Sequence, residues 1–433
     1  MKLKRYTAVL CALGMLLYLA QPGIASETGG VFDAVDNFFK TITFSDFRTK
    51  VNEDHGVKVS PYYNQIYKLT SNVFGAPSGN NEHSENIFTF QPGVRITHQG
   101  DYGNAGINYN ASLRYFGKYS TQNDQDNFFT TWINYKPNED YYVSVSETLN
   151  QQSSTAAIAS AEPTNFLDNT VVVIGGYNGE QTNYSAGYRM FDRDFSTVGA
   201  KHFNYNEDIY SLSADHDLSA YSEYLEGFRA NASVRLGHVN YSHSSTREAV
   251  WLEVPVGVSG TLPMDVKLNA TLGVYGRNQA NSNRTDTTMV TTNVSLSKVF
   301  NNKTKVAASF RRYPQEATLG GSAISDNKSW DFDVKHLLNQ KVRLRGNLSV
   351  TNMDIEQSVF TGQRAFVGGF LIVIPPNRVK PDSDTLALNL GTDIKVSETT
   401  RLHLDYNLIR RDSNISALDM VENSLTLRAS VAV

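Results

Sequence analysis

Residues 104–116, NAGINYNASLRYF, alternate between two kinds of side chain over almost their whole length. One set is apolar and runs from Ala105 to Tyr115, and the other is mostly polar and runs from Gly106 to Phe116. Successive side chains of a strand point to opposite faces, so the stretch predicts a strand with one apolar face. The class of fold depends on whether that face meets a protein core or lipid.

The same alternation recurs along the chain, with turn-forming residues between the segments. In AVWLEVPVGV and TLALNLGTDIKV, for example, apolar residues occupy nearly every second position. The pattern predicts 18 strands, at residues 57–73, 85–98, 104–117, 127–136, 140–149, 169–177, 182–192, 207–216, 228–240, 249–259, 265–275, 287–299, 303–313, 328–337, 341–352, 384–396, 401–410 and 422–433.

The connections between these segments alternate between short and long. Short ones include HQGDY, KPNED, NGEQ and SETT, and the longest connection is 353–383. Only 217–227 falls in the short series without being very short. Outer-membrane barrels have short periplasmic turns, long extracellular loops and an even number of strands. We therefore expect an all-β fold, a transmembrane antiparallel β-barrel of about 18 strands (16–18), whose outward apolar sets, including Ala105 to Leu113, meet lipid.

The N-terminus predicts export. Lys2, Lys4 and Arg5 precede an apolar run, and small residues follow at 23–26, which is the layout of a signal peptide spanning residues 1–26. The only cysteine, Cys11, lies in this leader. Residues 27–56 form a separate periplasmic segment, in which either a short amphipathic helix or a poorly ordered leader fits the sequence. The barrel is expected over 57–433.

The sequence contains no motif of an enzyme or of a cofactor site. We find no Gly-x-Ser-x-Gly elbow, no phosphate-binding loop and no His-Glu-x-x-His, and the 9 histidines are scattered. We therefore expect neither catalysis nor a metal or other cofactor, and no nucleic-acid partner. A barrel of 16 to 18 strands encloses a water-filled channel, which suits transport.

The residues opposite each apolar set should line that channel. The predicted lumen-lining cations are Arg95, Arg114, Arg189, Arg229, Arg235, Lys267, Lys305, Arg311, Lys335, Arg343, Arg345, Lys395 and Arg428. Acids at equivalent positions are fewer, namely Glu253, Asp331, Asp333, Asp393 and Asp405. A channel lined by like charge enriches the opposite ion, which indicates a path for an acidic solute or polymer. Alternatively, these cations only balance the acids of the loops and stiffen the wall.

The N-terminal third resembles a known family. The segments VKVSPYYNQIYKLTSNVF, SENIFTFQPGVRI and GINYNASLRYFGKYSTQNDQDNFF carry an Asn-apolar-Phe element, Asn72-Val73-Phe74, and then Pro92-Gly93 and a Tyr-rich strand. In these features residues 57–150 resemble the β-barrel porins of exopolysaccharide and exosortase gene clusters. The resemblance implies a barrel that passes a secreted polysaccharide and works with periplasmic polysaccharide-export components.

These observations lead to one main hypothesis and two alternatives. We expect an outer-membrane lipid-embedded channel that exports an exopolysaccharide or capsular polysaccharide, acidic in character. The alternatives are a general or solute-selective uptake porin and a structural or adhesive barrel with a blocked lumen. The apolar run AFVGGFLIVIPP within 353–383 predicts a gate at Phe366, Phe370, Leu371 and Ile372; the alternative is an extension of the barrel above the membrane.

Overall fold

The computed structural model describes residues 56–72, 84–118, 120, 123–154, 164–196, 201, 204–242, 248–279, 286–316, 324–355, 364–367, 370–373, 382–414 and 419–432. The predicted signal peptide and nearly all of the predicted periplasmic segment lie outside these residues, as do Val73 and Phe74. No helix in the described part of the chain is long and apolar enough to span a membrane.

Strands make up most of the described chain. Their bounds are β1 Val57–Thr70, β2 Glu85–Gly100, β3 Gly103–Phe116, β4 Asp124–Tyr135, β5 Tyr141–Ser154, β6 Thr164–Asn178, β7 Thr182–Phe195, β8 Tyr205–Asp217, β9 Arg229–Tyr241, β10 Ala249–Leu262, β11 Val266–Gln279, β12 Thr287–Phe300, β13 Thr304–Glu316, β14 Ile324–Leu337, β15 Val342–Ile355, β16 Arg364–Val367, β17 Phe370–Val373, β18 Asp382–Lys395, β19 Thr400–Ser413 and β20 Met420–Ala432.

Eighteen of these strands form one closed antiparallel sheet. Each strand pairs with the next along the chain, β15 pairs directly with β18, and β1 pairs with β20 from Tyr62↔Ala432 to Thr70↔Ser424. Closure leaves no unpaired edge, which is the condition for strands to cross lipid. The predicted 18-stranded antiparallel barrel is confirmed.

The two ends of the barrel differ in their connections. At one end the strands are joined by short turns, such as 179–181 between β6 and β7, and 301–303 between β12 and β13. Asn301 and Asn302 adopt positive φ angles of 50° and 56° there, a conformation that asparagine tolerates in tight turns. The longer segment 218–228 lies at this end too and contains a single 3₁₀ turn at Glu223–Leu225, capped by Ser222. By the rule for bacterial barrels, this is the periplasmic end.

The outer face of the wall is apolar and exposed. Large apolar side chains at alternate positions of the strands are open, including Leu212 at 65%, Leu272 at 57% and Val256 at 52% exposure. In water such a surface would be costly, whereas lipid accepts it without penalty. A closed barrel with this exterior is a transmembrane protein of the bacterial outer membrane.

One part of the exterior departs from the expectation that its apolar side chains meet lipid. Tyr109, Ala111 and Leu113, from the stretch with the clearest alternation, are only 3–5% exposed. Tyr109 and Ala111 pack with Val94 and Phe129, and Leu113 packs with large side chains of β1, β2 and β3 itself. The expectation of direct lipid contact is wrong for these three residues, because crowded protein neighbours cover this patch.

The predicted gate forms a hairpin of its own. Strands β16 and β17 pair through Phe366↔Leu371, Ala365↔Ile372 and Val367↔Phe370, in a two-stranded sheet apart from the barrel. A gating role for Phe366, Phe370, Leu371 and Ile372 stays a prediction. The alternative interpretation, an extension of the barrel above the membrane, also stays open.

Candidate functional site in the barrel lumen

The inner face of the wall is identified by its alternation with the exposed apolar residues. On β15, for example, Leu344, Leu348 and Val350 are exposed apolar residues, so Arg343 and Arg345 lie on the opposite face. The same alternation puts every predicted lumen-lining cation on the face that encloses the channel. Their environments differ, however, and fall into four groups.

The first group is held by ion pairs near the long-loop end. The guanidinium of Arg114 lies 2.6 Å from Asp124 and 2.9 Å from Asp126, and it also donates to Ser153. Both carboxylates are less than 10% exposed as side chains. Sequence reasoning missed these two acids. Arg114 therefore stabilises the wall at this point and is not open to a solute.

A second ion-paired cluster lies nearer the periplasmic end. Arg345 Nη2 lies 2.9 Å from Asp393 Oδ1 and 2.8 Å from Asp405 Oδ1, and His403 Nδ1 lies 2.7 Å from the same Asp393 oxygen. Arg229, the first residue of β9, pairs in the same way with Asp215 near the end of β8, another acid that the sequence analysis missed. The inner face is therefore less one-sidedly basic than predicted.

Two further arginines each form an ion pair with one carboxylate but keep about half of their side chain exposed. Arg235 lies 3.3 Å from Glu253, and Arg311 lies 3.1 Å from Asp331; both arginine side chains are 51% exposed. Thr291 donates to Glu253. Arg235, Glu253, Thr291 and Arg311 border a cavity of about 280 Å³ on the wall formed by β9 to β13. An anion entering the channel can reach both guanidinium groups.

The third group consists of cations without a carboxylate. Lys305 and Lys335 stand directly opposite each other on β13 and β14, and Lys335 stands directly opposite Arg345 on β15. Lys305, Lys335 and Arg343 are exposed, and none has a carboxylate within ion-pair distance in the described part of the chain. Lys267 and Arg428 are exposed in the same way. In the described part of the chain these cations are therefore held in no ion pair, although Arg343 stands directly opposite Asp393.

The remaining predicted cations lie beside other groups. Lys395 pairs with Glu398 in the turn after β18, at 2.7 Å. Arg189 lies 5.8 Å from the ring centre of Phe191, and Arg95 lies 5.2 Å from that of Trp132. What these residues do in the channel stays a prediction.

Aromatic residues also lie on the inner face, and none of them was predicted individually. Towards the long-loop end, Val239, Tyr241, Trp251, Tyr275 and Met289 form a buried cluster, in which Trp251 donates its indole N–H to Glu207. Towards the periplasmic end, aromatic rings cover glycines of the neighbouring strand. A ring over a glycine could be predicted from an aromatic residue directly opposite a glycine on the next strand. Such a pair can be recognised only when the strand register is known.

No family model matches the sequence, and neither does any curated protein. Similar solved structures include two barrels of Pseudomonas aeruginosa, the outer membrane protein OpdK (TM-score 0.47, 10% identity, 87% of this chain and 99% of that one) and OccK2, also called OpdF (TM-score 0.49, 11% identity, 87% and 98%). The siderophore receptor PirA of the same organism has a TM-score of 0.45 at 8% identity, over 87% and 80% of the two chains. At these identities the similarity assigns no solute to this chain.

Proposed function

We propose that the chain forms a solute-selective channel that favours anionic solutes. The observation that carries the proposal is a cluster of cations without ion pairs on the inner wall. Lys305 on β13 stands directly opposite Lys335 on β14, and Arg343 lies close by on β15. Like charges directly opposite each other in a sheet destabilise it. Their presence at exposed positions of the inner face is best explained by a ligand of opposite charge.

The location of the cluster strengthens this effect. A lumen bounded by low-dielectric walls focuses the field of its charges, and a ring of cations raises the local concentration of anions. Arg235 and Arg311, each half-exposed beside its carboxylate, extend the basic surface along the wall towards the other end. A passing anion would therefore meet one cationic group after another along the wall.

The test is the ion selectivity of the purified full-length protein in a planar bilayer. Under a KCl gradient the reversal potential should have the sign of an anion-selective pore, and the double variant Lys305→Gln/Lys335→Gln should move it towards zero. The matched control is Lys298→Gln, which removes a lysine that contacts Phe300 (5.0 Å) on the outward face of β12. Cation selectivity, or equal shifts in both variants, would contradict the proposal.

A second candidate is export of an acidic polysaccharide, together with periplasmic export components. It is favoured by the resemblance of residues 57–150 to barrels of exopolysaccharide gene clusters. It is also favoured by the aromatic rings that cover glycines on a wall that also carries cations. Deletion of the gene should then abolish secretion of the polymer while its synthesis continues. Normal secretion would leave the solute-selective channel as the function.

The bilayer experiment also separates a third alternative, an adhesive or structural barrel with a blocked lumen. Such a protein would insert into the bilayer without adding any conductance. A conducting pore therefore excludes it.

A further inference from the structure

Aromatic rings on the inner wall cover glycines of the neighbouring strand in the periplasmic half of their strands, and two of them, Trp132 and Tyr62, lie close to an arginine. Trp132 of β4 covers Gly106 of β3, where a Cβ atom would come within 2.3 Å of the indole ring. Tyr62 of β1 covers Gly93 of β2 in the same way, at 2.4 Å. Each ring therefore fills the space that a side chain at the glycine would occupy, and both aromatic side chains are only partly buried.

Hydrogen bonds to asparagines fix both rings. The indole N–H of Trp132 donates to Asn104 Oδ1 at 3.2 Å, and Asn134 Nδ2 donates to the same oxygen at 2.9 Å. The hydroxyl of Tyr62 donates to Asn108 Oδ1 at 3.0 Å. The amide oxygens of Asn104 and Asn108 accept these bonds, and in the described part of the chain their amide nitrogens have no acceptor, so they can donate to a solute.

A cation lies between the two rings. Arg95 of β2 stands directly opposite Asn108 of β3, is exposed, and has its guanidinium 5.2 Å from the ring centre of Trp132. Within the described part of the chain no carboxylate pairs with it. A guanidinium binds a carboxylate through two parallel hydrogen bonds when one is presented in its plane.

We infer that Tyr62, Arg95, Asn104, Asn108 and Trp132, the aromatic–amide tract, form a subsite for a sugar ring that carries a carboxylate, such as a uronic acid. The flat C–H face of a pyranose packs on an aromatic ring, the carboxylate pairs with Arg95, and ring hydroxyls accept from the two amides. The amides distinguish this subsite from one for an aromatic acid without hydroxyl groups, such as benzoate, whose ring offers them no acceptor. The inference rests on the proposed function only in taking the lumen as the path of the solute.

Tryptophan fluorescence gives a direct test, because the chain has only 3 tryptophans. In the variant Trp251→Phe/Trp330→Phe, Trp132 is the only emitter, and its emission is titrated with trigalacturonate, maltotriose and benzoate. Trigalacturonate should give a saturable change at about tenfold lower concentration than maltotriose, the value of one charge-assisted contact. Arg95→Gln should abolish that difference, whereas Arg410→Gln, an exposed arginine paired with Asp412, should preserve it.

If the double tryptophan variant does not fold, a second measurement replaces the fluorescence titration. The block of single-channel current by the same three probes is then recorded with the otherwise native protein. Trp132→Leu is the variant that should lose this block. Benzoate acting as well as trigalacturonate, or no response to any sugar, would overturn the inference. The ion selectivity of the same channels is measured in parallel. Anion selectivity without a sugar response refutes the subsite alone, and a sugar response without anion selectivity refutes the proposed function alone.

Discussion

Arg345 and Asp405 form an ion pair of 2.8 Å although a complete strand, β18, lies between the strands that carry them. The residue of β18 directly between them is Gly391. A Cβ atom at this position would lie 2.2 Å from Oδ1 of Asp405 and 3.1 Å from Nη2 of Arg345. The absence of a side chain is thus what allows the two charges to meet over the strand.

Gly391→Ala should therefore destabilise the barrel by about 1–3 kcal/mol, because the methyl group displaces the Asp405 carboxylate and leaves partly buried charges poorly paired. Urea titration of the refolded protein in lipid vesicles measures the effect. The matched control is Gly346→Ala on the neighbouring strand, where a Cβ atom would make only an ordinary contact of 3.7 Å with Leu390. Equal effects of the two substitutions would show that the ion pair is not the cause.

Arg114→Gln should be among the most destabilising changes of charge, at about 2–4 kcal/mol, since it strands Asp124 and Asp126 without their counter-ion. Arg410→Gln removes an equally well-formed pair with Asp412, but both of its side chains are about 60% exposed. Exposed pairs contribute little, so this control should change stability by less than about 1 kcal/mol. A comparison of their unfolding midpoints in urea checks both expectations.

Leu348→Arg should destabilise the membrane-inserted barrel by about 2–4 kcal/mol, the cost of a cation at the middle of the lipid-facing wall. Leu348 is exposed near the centre of β15. Ser349→Arg is the control, because the next residue points into the lumen, opposite Asp331, where water and a carboxylate receive the charge. If both variants insert and unfold alike, the assignment of the two faces on this strand is wrong.

Lys335→Gln should, in contrast, stabilise the barrel by about 0.5–1 kcal/mol. The substitution removes a positive charge that stands directly between those of Lys305 and Arg345. The gain should shrink with added salt, which screens exposed charges. Anion selectivity should fall in the same variant. A gain in stability with a loss of selectivity is the behaviour of a residue kept for function, and a loss of stability would show that the lysine has an unrecognised partner.

The barrel could be predicted because the side chains of a strand alternate strictly, and this period is visible in one sequence. The 18 strands, their antiparallel order and the alternation of short and long connections follow from it. The buried state of Tyr109, Ala111 and Leu113 could not be predicted, since an outward apolar residue has the same pattern whether lipid or protein covers it.

The candidate site was less predictable because it depends on register. That Lys305 faces Lys335, that Gly391 lies under an ion pair and that Trp132 covers Gly106 are relationships between strands. Nothing within a single strand indicates which residue will stand opposite. The sequence identifies the residues on the inner wall but not their neighbours, and the neighbours decide whether an arginine is structural, like Arg114, or open to a solute, like Arg343.

The seam between β1 and β20 has a consequence for assembly. Lys68 and Glu422 meet there at 2.7 Å although they are 354 residues apart in the chain. Until β20 pairs with it, β1 has an unpaired edge, and lipid cannot form hydrogen bonds with the backbone N–H and C=O groups of that edge. β1, the first strand in the described part of the chain, is therefore paired on both sides only when β20 is in place, and a chain that ended before residue 424 could not close the sheet.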